Sequence, residues 1–139
     1  MEPVLVEINQ KIIVVTGAGS GIGRALVEKF VSDGAKQVIA VDINAANAAE
    51  TADANACLAM TADVSCEADI IRVIDDVESQ VGHIDLFCSN AGLAAGPSEQ
   101  SPDQEWQISW DVNVMAHVYA ARHLVPRMVN RGGGYFLNT

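Results

Sequence analysis

The chain has 139 residues, half of them hydrophobic and 19% charged, a composition typical of one globular domain and not of a disordered chain. Eight lysines and arginines against eighteen acidic residues give a net charge of −10, so nucleic acid and anionic membrane surfaces are not expected as partners. A small anionic ligand remains compatible with this charge, because the N-terminus of a helix and backbone N–H groups bind anions without basic side chains.

The sequence carries no membrane, secretion or metal signal. No apolar stretch is long enough to span a bilayer, and segment 1–10 lacks the basic opening and long apolar block of a signal peptide. The three cysteines, Cys57, Cys66 and Cys88, are odd in number and form no CxxC pair, so neither a zinc site nor a disulfide framework is indicated. We therefore expect a cytoplasmic protein without a metal site.

Short apolar runs alternate with helical patterns along the chain. The runs that predict strands cover residues 11–16, 37–42, 57–63, 84–89 and 134–139. Three of them show no alternation of polar and apolar residues, which is typical of strands covered on both faces of a parallel sheet.

The first two helices are predicted between these early strands. Ile22, Leu26 and Phe30 recur every four residues, and Gly34 is a suitable residue to follow the end of that helix. Segment 44–54 is rich in alanine but interrupted by polar residues, so it predicts a weaker helix.

Two further helices are predicted in the second half of the chain. Apolar residues at i, i+4, i+7 and i+11 from Ile70 predict a helix with Ser65 as its N-cap. Segment 101–104 has the pattern of a capping box with proline at the first helical position, and it predicts a long helix reaching about Asn130, bent near Pro126.

The predicted order is therefore β-α-β-α-β-α-β-α-β. Crossovers of this kind require parallel pairing and a right-handed sense. We expect an α/β protein with a Rossmann-type doubly wound parallel sheet of about five strands in the order 3-2-1-4-5. The absence of a linker, a repeat or a low-complexity block indicates that residues 1–139 form a single domain.

A glycine-rich turn follows the first strand and opens the first helix. Such a turn lets backbone N–H groups approach a pyrophosphate at the N-terminus of the helix. We assign Gly17 to the tight turn, Gly21 to the close approach and Gly23 to packing of the helix on the sheet, with Ser20 and Ile22 beside them in the candidate site. The alternative is a glycine loop without a ligand, and a GxGxxG pattern by itself is weak evidence against it.

An acidic residue ends the second strand, about 20 residues beyond the glycines. An acid at this place hydrogen-bonds the ribose hydroxyls of a dinucleotide, so Asp42, with Ile43 beside it, favours cofactor binding. Taken alone, Asp42 would equally serve as a cap for the next helix. Its charge repels a 2′-phosphate, which favours NAD over NADP. Arg24 is the one nearby cation that argues against this preference.

The spacing TGxxxGIG, with Asn90-Ala91-Gly92 after the fourth strand, resembles the short-chain dehydrogenase/reductase superfamily over nearly the whole chain. The resemblance implies that these three residues line the nicotinamide ribose. It also implies that Asp63 binds the adenine amino group, with the backbone of Val64 beside the ring. The alternative role of Asp63 is that of a helix cap.

Asn113 matches the family asparagine that kinks the long helix and holds a water molecule in the proton relay, the alternative being an ordinary buried amide. Two positions depart from the family pattern: Ser89 replaces the first asparagine of NNAG, and Ala116 stands where glycine is frequent.

The resemblance implies hydride transfer between a nicotinamide and the carbonyl or alcohol of a small molecule, with a serine, a tyrosine and a lysine in the reaction. The chain contains no YxxxK pattern, since Tyr119 is followed by His123 and Tyr135 by Thr139 at the fourth position. We therefore expect the cofactor-binding portion of such an enzyme, truncated before these motifs, with an incomplete homo-oligomer interface and no turnover on its own. The alternative is a non-catalytic NAD-binding or regulatory module.

The three histidines, His83, His117 and His123, are interpreted as surface or packing residues, because spacing identifies no carboxylate or nucleophile as a partner for any of them.

Overall fold

The computed structural model describes residues 5–139, and the first four residues of the N-terminal segment considered above lie outside the described residues. The elements are β1 (Ile12–Thr16), α1 (Gly21–Ser32), β2 (Gln37–Asp42), α2 (Ala45–Asn55), β3 (Leu58–Thr61), α3 (Glu67–Gln80), β4 (Leu86–Ser89), α4 (Asp103–Trp110), a π-helical segment (Asp111–Met115), α5 (Ala116–Asn130) and β5 (Tyr135–Asn138).

Within these described residues, five strands form one parallel sheet in the order β3-β2-β1-β4-β5. The predicted fold class and strand order are therefore confirmed. β1 is central, and its Val14 pairs with Ile39 of β2 on one side and with Phe87 of β4 on the other. The strand order reverses between β1 and β4, which creates a crevice at the carboxyl ends of the strands.

The two faces of the sheet form two cores. Successive side chains of a strand point to opposite faces, so Val14 packs with Ile74 and Leu124 on the side of α3 and α5. Val15 packs with Val27 on the opposite side, where α1 lies. The strands at the two edges, β3 and β5, are largely exposed, whereas every residue of β1 is buried.

The buried stripe of α1 differs from the prediction. Gly23, Val27 and Phe30 are its buried residues, whereas Ile22 is 68% exposed. The first turn packs through the backbone of Gly23, so no large side chain is needed there and Ile22 lies at the surface.

The predicted N-cap of α3 is also wrong, because Cys66 and not Ser65 occupies that position. The Ser65 hydroxyl and N–H both donate to Asp63 Oδ1, at 2.6 and 2.9 Å. The serine is therefore part of a turn closed by Asp63, and its hydroxyl is not directed to the helix.

The predicted capping box at 101–104 does not form. α4 begins at Asp103 with Pro102 as its N-cap, and no side chain caps this end. Ser101 Oγ instead accepts a hydrogen bond from the N–H of Ser98 at 3.3 Å. The loop before α4 thus takes up the hydroxyl that the sequence pattern assigned to the helix.

The long helix departs from α geometry at Asp111–Met115, where the N–H of Ala116 bonds to the carbonyl of Asp111, five residues back. α5 itself continues through Pro126. This π-helical segment contains Asn113, and the bend expected near Pro126 stays a prediction.

Candidate functional site

A groove of about 570 Å³ lies at the carboxyl ends of the strands, where their order reverses. All twelve predicted binding residues line it: Gly17, Ser20, Gly21, Ile22, Gly23, Asp42, Ile43, Asp63, Val64, Asn90, Ala91 and Gly92. Four lining residues were not predicted, namely Ala62, Leu93, Val112 and Thr139. The groove has the size of a ligand site, and its place agrees with the rule that open α/β sheets bind ligands at such a crevice.

The glycine loop is packed so closely that side chains are excluded from it. Gly17 has φ +67°, and a Cβ there would lie 2.8 Å from Ala91 Cα. A Cβ on Gly23 would overlap the carbonyl oxygen of Gly17 and lie 2.8 Å from Asn90 Nδ2. These two glycines therefore pack the loop onto itself and onto the segment after β4.

Gly21 differs from both, because a Cβ there would meet no protein atom within 4 Å, although its φ is +53°. It lines the groove at the start of α1. Ser20, the N-cap, makes no side-chain hydrogen bond to the helix. The N–H groups of the first turn lack intrahelical partners, so this end of the groove offers donors to an anion.

The carboxylate of Asp42 binds the glycine loop. Its Oδ2 accepts the N–H of Gly19 at 2.9 Å, and its Oδ1 accepts the N–H of Asn44 at 2.9 Å. The helix cap of α2 is Asn44, whose side chain accepts the N–H of Asn47, so Asp42 is not that cap. Gly19, omitted from the candidate residues, has no room for a side chain because a Cβ would lie 2.8 Å from Asp42 Oδ2.

Arg24 is not among the groove-lining residues. Its Nη2 donates to the carbonyl oxygen of Gly19 at 2.7 Å, its Nε donates to Thr51 Oγ1 at 3.1 Å, and its Nη1 lies 3.5 Å from Glu50 Oε1. The guanidinium is thus occupied between the glycine loop and α2, and the groove is lined by no lysine or arginine among the residues described.

Asp63 lies at the adjoining wall of the groove. Its N–H donates to Asp69 Oδ2 at 2.8 Å, and its own Oδ1 is taken by Ser65. The hydrogen bond from the Asp63 N–H is the main reason that the pKa of Asp69 is lowered. Both carboxylates therefore hold the turn between β3 and α3, and this turn presents Val64 to the groove.

Thr16 joins the glycine loop to the segment that follows β4. Its buried hydroxyl accepts the N–H groups of Asn90 and Ala91, at 3.0 and 3.1 Å. The Asn90 side chain donates to the carbonyl of Thr16 at 3.1 Å and accepts from Thr139 Oγ1 at 3.0 Å. This network fixes the floor of the groove at the ends of β1, β4 and β5.

Asn113 is exposed and binds the backbone of one loop residue twice. Its Nδ2 donates to the Leu93 carbonyl at 2.8 Å, and its Oδ1 accepts the Leu93 N–H at 3.0 Å. The interpretation of Asn113 as a buried amide is therefore wrong. A Cβ on Gly92 would lie 3.1 Å from Asn113 Oδ1, so the glycine allows the loop to pass this side chain.

Two histidines have partners that spacing did not reveal. His117 Nδ1 lies 2.7 Å from the hydroxyl of Ser89, which is buried at the end of β4. His123 Nε2 lies 2.7 Å from Glu67 Oε1. These pairs connect residues 28 and 56 positions apart, so only the fold brings them together.

Cys88 lies buried in β4. Burial raises the pKa of the Cys88 thiol to about 12, which keeps it protonated. Within residues 5–139, no group of three or more His, Cys, Asp or Glu side chains is placed to hold a metal ion. None of the described helices has the length and apolar character needed to cross a membrane.

Comparison with known proteins identifies a family for this chain. Residues 11–139 match the family model "short chain dehydrogenase". The chain is 34% identical to short-chain dehydrogenase/reductase family 16C member 6 of Bos taurus, covering 94% of this chain and 43% of that protein. It is 41% identical to 1-deoxy-11-beta-hydroxypentalenate dehydrogenase of Streptomyces exfoliatus, covering 86% of this chain and 46% of that protein.

Among solved structures, a short chain dehydrogenase/reductase from Burkholderia phymatum in complex with NAD matches with a TM-score of 0.90 and 29% identity. That match covers 96% of this chain and 50% of the other. The chain thus spans about half the length of the relatives it matches.

Proposed function

Because this chain belongs to the short chain dehydrogenase family, we propose that its groove binds a nicotinamide dinucleotide, and NAD(H) in preference to NADP(H). The whole protein is proposed to be an oxidoreductase acting on the alcohol or carbonyl group of a small molecule. Since these residues span about half the length of the relatives, cofactor binding is the part of that activity proposed for them. The Burkholderia phymatum relative, similar over 96% of this chain, is named as a complex with NAD.

One observation carries the proposal: the hydrogen bond of 2.9 Å from the N–H of Gly19 to Asp42 Oδ2. It joins the acid at the end of β2 to the glycine loop at the start of α1, within one groove. A dinucleotide requires these two features side by side, because its adenosine ribose and its pyrophosphate are adjacent groups.

The start of α1 fits a pyrophosphate. The open space at Gly21 allows a ligand to approach the backbone, and the first-turn N–H groups can donate to phosphate oxygens. The macrodipole of α1 adds a favourable interaction with negative charge at this end. A chain with a net charge of −10 therefore binds the anion through its backbone rather than through basic side chains.

The preference for NAD(H) follows from the charges near Asp42. A 2′-phosphate on the ribose would place a second anion beside this carboxylate, and repulsion between the two negative charges opposes binding of NADP(H). Arg24, the cation that follows the loop in the first turn of α1, is bound to Gly19, Thr51 and Glu50. A guanidinium in that position is not free to compensate a 2′-phosphate.

A bound nicotinamide would supply the carbon that gives or accepts a hydride. In this chain, Asn90, Ala91 and Gly92 are proposed to support the ribose at that end, held in place by Thr16. Asn113 is proposed to keep the neighbouring wall in position through its two hydrogen bonds to Leu93. Its water-holding role in a proton relay remains a prediction.

Calorimetric titration of the chain with NAD⁺ and NADP⁺ tests the proposal. We expect saturable binding of NAD⁺ that is at least about tenfold tighter than that of NADP⁺. Asp42→Asn removes the negative charge, so it should weaken NAD⁺ binding and reduce the difference in affinity between NAD⁺ and NADP⁺. Asp53→Asn removes an exposed acid from α2 and serves as the matched control without effect. No saturable NAD⁺ binding, or tighter binding of NADP⁺, would overturn the proposal.

A further inference from the structure

Arg24 holds the glycine loop from outside the groove. The shortest contact of its guanidinium is the 2.7 Å hydrogen bond from Nη2 to the carbonyl oxygen of Gly19. The Nε bond to Thr51 Oγ1, 3.1 Å long, ends on a hydroxyl that is itself buried in α2. A side chain of α1 therefore ties the loop to the body of α2.

Gly19 is consequently fixed at both of its polar backbone atoms. Its N–H donates to Asp42 Oδ2, and its carbonyl accepts from Arg24. Gly19 itself is buried, and the space around its Cα is closed by Asp42 and Asn47. A residue held in this way cannot rotate its peptide planes without breaking a hydrogen bond to a charged group.

The Gly19 carbonyl shares its peptide plane with the N–H of Ser20. No cis peptide bond occurs in the described residues, and in a trans peptide the N–H and C=O point in opposite directions. The bond from Arg24 to the carbonyl therefore also sets the direction of the Ser20 N–H. Ser20 lines the groove and precedes the first turn of α1.

We propose that Arg24 is a positioning residue for dinucleotide binding, which orients the Gly19–Ser20 peptide for the pyrophosphate while making no contact with the ligand. This inference rests on the proposed function. The role assigned to Arg24 is geometric and not electrostatic, because Glu50 Oε1 lies 3.5 Å from its Nη1 and offsets the positive charge. The side chain is only 35% exposed, which further limits its freedom to move away from the loop.

Geometry and charge can be separated by substitution. A lysine keeps the positive charge but carries all its donors on one nitrogen, so it does not reproduce the two bonds that Nη2 and Nε make to the Gly19 carbonyl and Thr51 Oγ1. Arg24→Lys should therefore behave like Arg24→Met. Lys29→Met removes one positive charge from the same helix, where Lys29 pairs with Asp33, and it is the matched control.

The experiment measures binding of ADP-ribose and of adenosine to the four proteins, with circular dichroism to confirm that each is folded. ADP-ribose contains the pyrophosphate, whereas adenosine contains only the base and ribose. We expect both Arg24 variants to bind ADP-ribose about tenfold more weakly, with less than about a twofold change for adenosine. Lys29→Met should match the wild type for both ligands. If Arg24 had a purely structural role, its substitution would weaken the binding of both ligands equally or of neither.

The outcomes separate this inference from the proposed function. If the wild type binds ADP-ribose and Arg24→Lys retains that affinity, the positioning role is overturned while cofactor binding stands. The positioning role is also overturned, while cofactor binding stands, if the Arg24 variants lose affinity for adenosine and for ADP-ribose by equal factors. If the wild type binds neither ADP-ribose nor NAD⁺, the proposed function fails and the inference fails with it.

Discussion

Two glycines of the loop, Gly21 and Gly23, should respond in opposite ways to the same substitution. A methyl group at Gly23 overlaps the Gly17 carbonyl oxygen and lies 2.8 Å from Asn90 Nδ2. A methyl group at Gly21 meets no protein atom within 4 Å. Gly23→Ala is therefore predicted to damage the fold, whereas Gly21→Ala is predicted to damage binding.

The magnitudes follow from these contacts. Overpacking against backbone typically lowers the free energy of unfolding by about 1–3 kcal/mol and occasionally by more. Because a Cβ at Gly23 overlaps a backbone carbonyl, we expect Gly23→Ala to lower it by about 3 kcal/mol or more. Gly21 has φ +53°, where alanine costs about 1–2 kcal/mol in the folded state. Part of this is offset by about 0.4–1 kcal/mol because alanine restricts the unfolded chain. The free energy of unfolding of Gly21→Ala should therefore be only about 1 kcal/mol lower than that of the wild type.

Thermal unfolding and NAD⁺ titration of the same variants provide the assay. The methyl of Gly21→Ala lies at the wall of the groove, so we expect NAD⁺ affinity to fall at least about tenfold in a folded protein. Gly132 also has a positive φ, +95°, and open space around its Cα, but it lies in the turn after α5. Gly132→Ala should likewise strain the backbone, but without the loss of binding.

Two results would refute this reasoning. One is a Gly23→Ala protein as stable as Gly21→Ala, since the overlap with the Gly17 carbonyl would then be relieved at no cost. The other is a Gly21→Ala protein that binds NAD⁺ as tightly as Gly132→Ala, because the groove would then not bring the ligand near the start of α1.

Three further substitutions test contacts around the groove and the core. Thr16→Val removes the hydroxyl that accepts two backbone N–H groups, so its free energy of unfolding, measured by chemical denaturation, should fall by about 1–3 kcal/mol. Thr16→Ser keeps the hydroxyl and should be nearly as stable as the wild type. Equal stability of the two variants would contradict this. Burial acts to raise the pKa of Glu78, but the hydrogen bonds from Arg131 and the Ile84 N–H outweigh it, so the folded pKa is lowered. The advantage of the wild type over Glu78→Gln should therefore be complete at pH 7 and shrink as the pH falls through the folded pKa, and a difference constant between pH 7 and pH 3 would disprove it. The hydrogen bond with His123 is the largest of the effects that lower the pKa of Glu67, so its carboxyl should titrate below the ordinary range in NMR and return toward it in His123→Ala.

Much of the fold could be predicted because its central strands are buried on both faces. β1, β2 and β4 are nearly continuous apolar runs, and such runs separated by helical patterns leave few topologies. The helix caps could not be predicted in the same way. Ser65 and Ser101 each had a closer competing partner, Asp63 and the Ser98 N–H, and spacing alone does not rank such competitors.

The lining of the groove was predictable for a similar reason. Most of its residues follow the ends of parallel strands, which meet at one edge of the sheet, and the family resemblance pointed to those after β3 and β4. Val112, in the π-helical segment, follows no strand and was not predicted. Arg24 and His117 were not assigned roles, because their partners Thr51 and Ser89 lie on other elements, 27 and 28 positions away. Gly19, the second of the four loop glycines, was the available signal that the acid at the end of β2 approaches the backbone.

The most direct test of cofactor binding is NMR mapping of NAD⁺ on the isotope-labelled chain. Saturable shifts are predicted for the amide groups of Gly17, Gly21, Asp42 and Gly92, which surround the groove, while that of Val129 on the exposed side of α5 should remain unchanged. Absence of saturable shifts, or shifts centred on α5 instead of the glycine loop, would contradict binding of a dinucleotide in this groove.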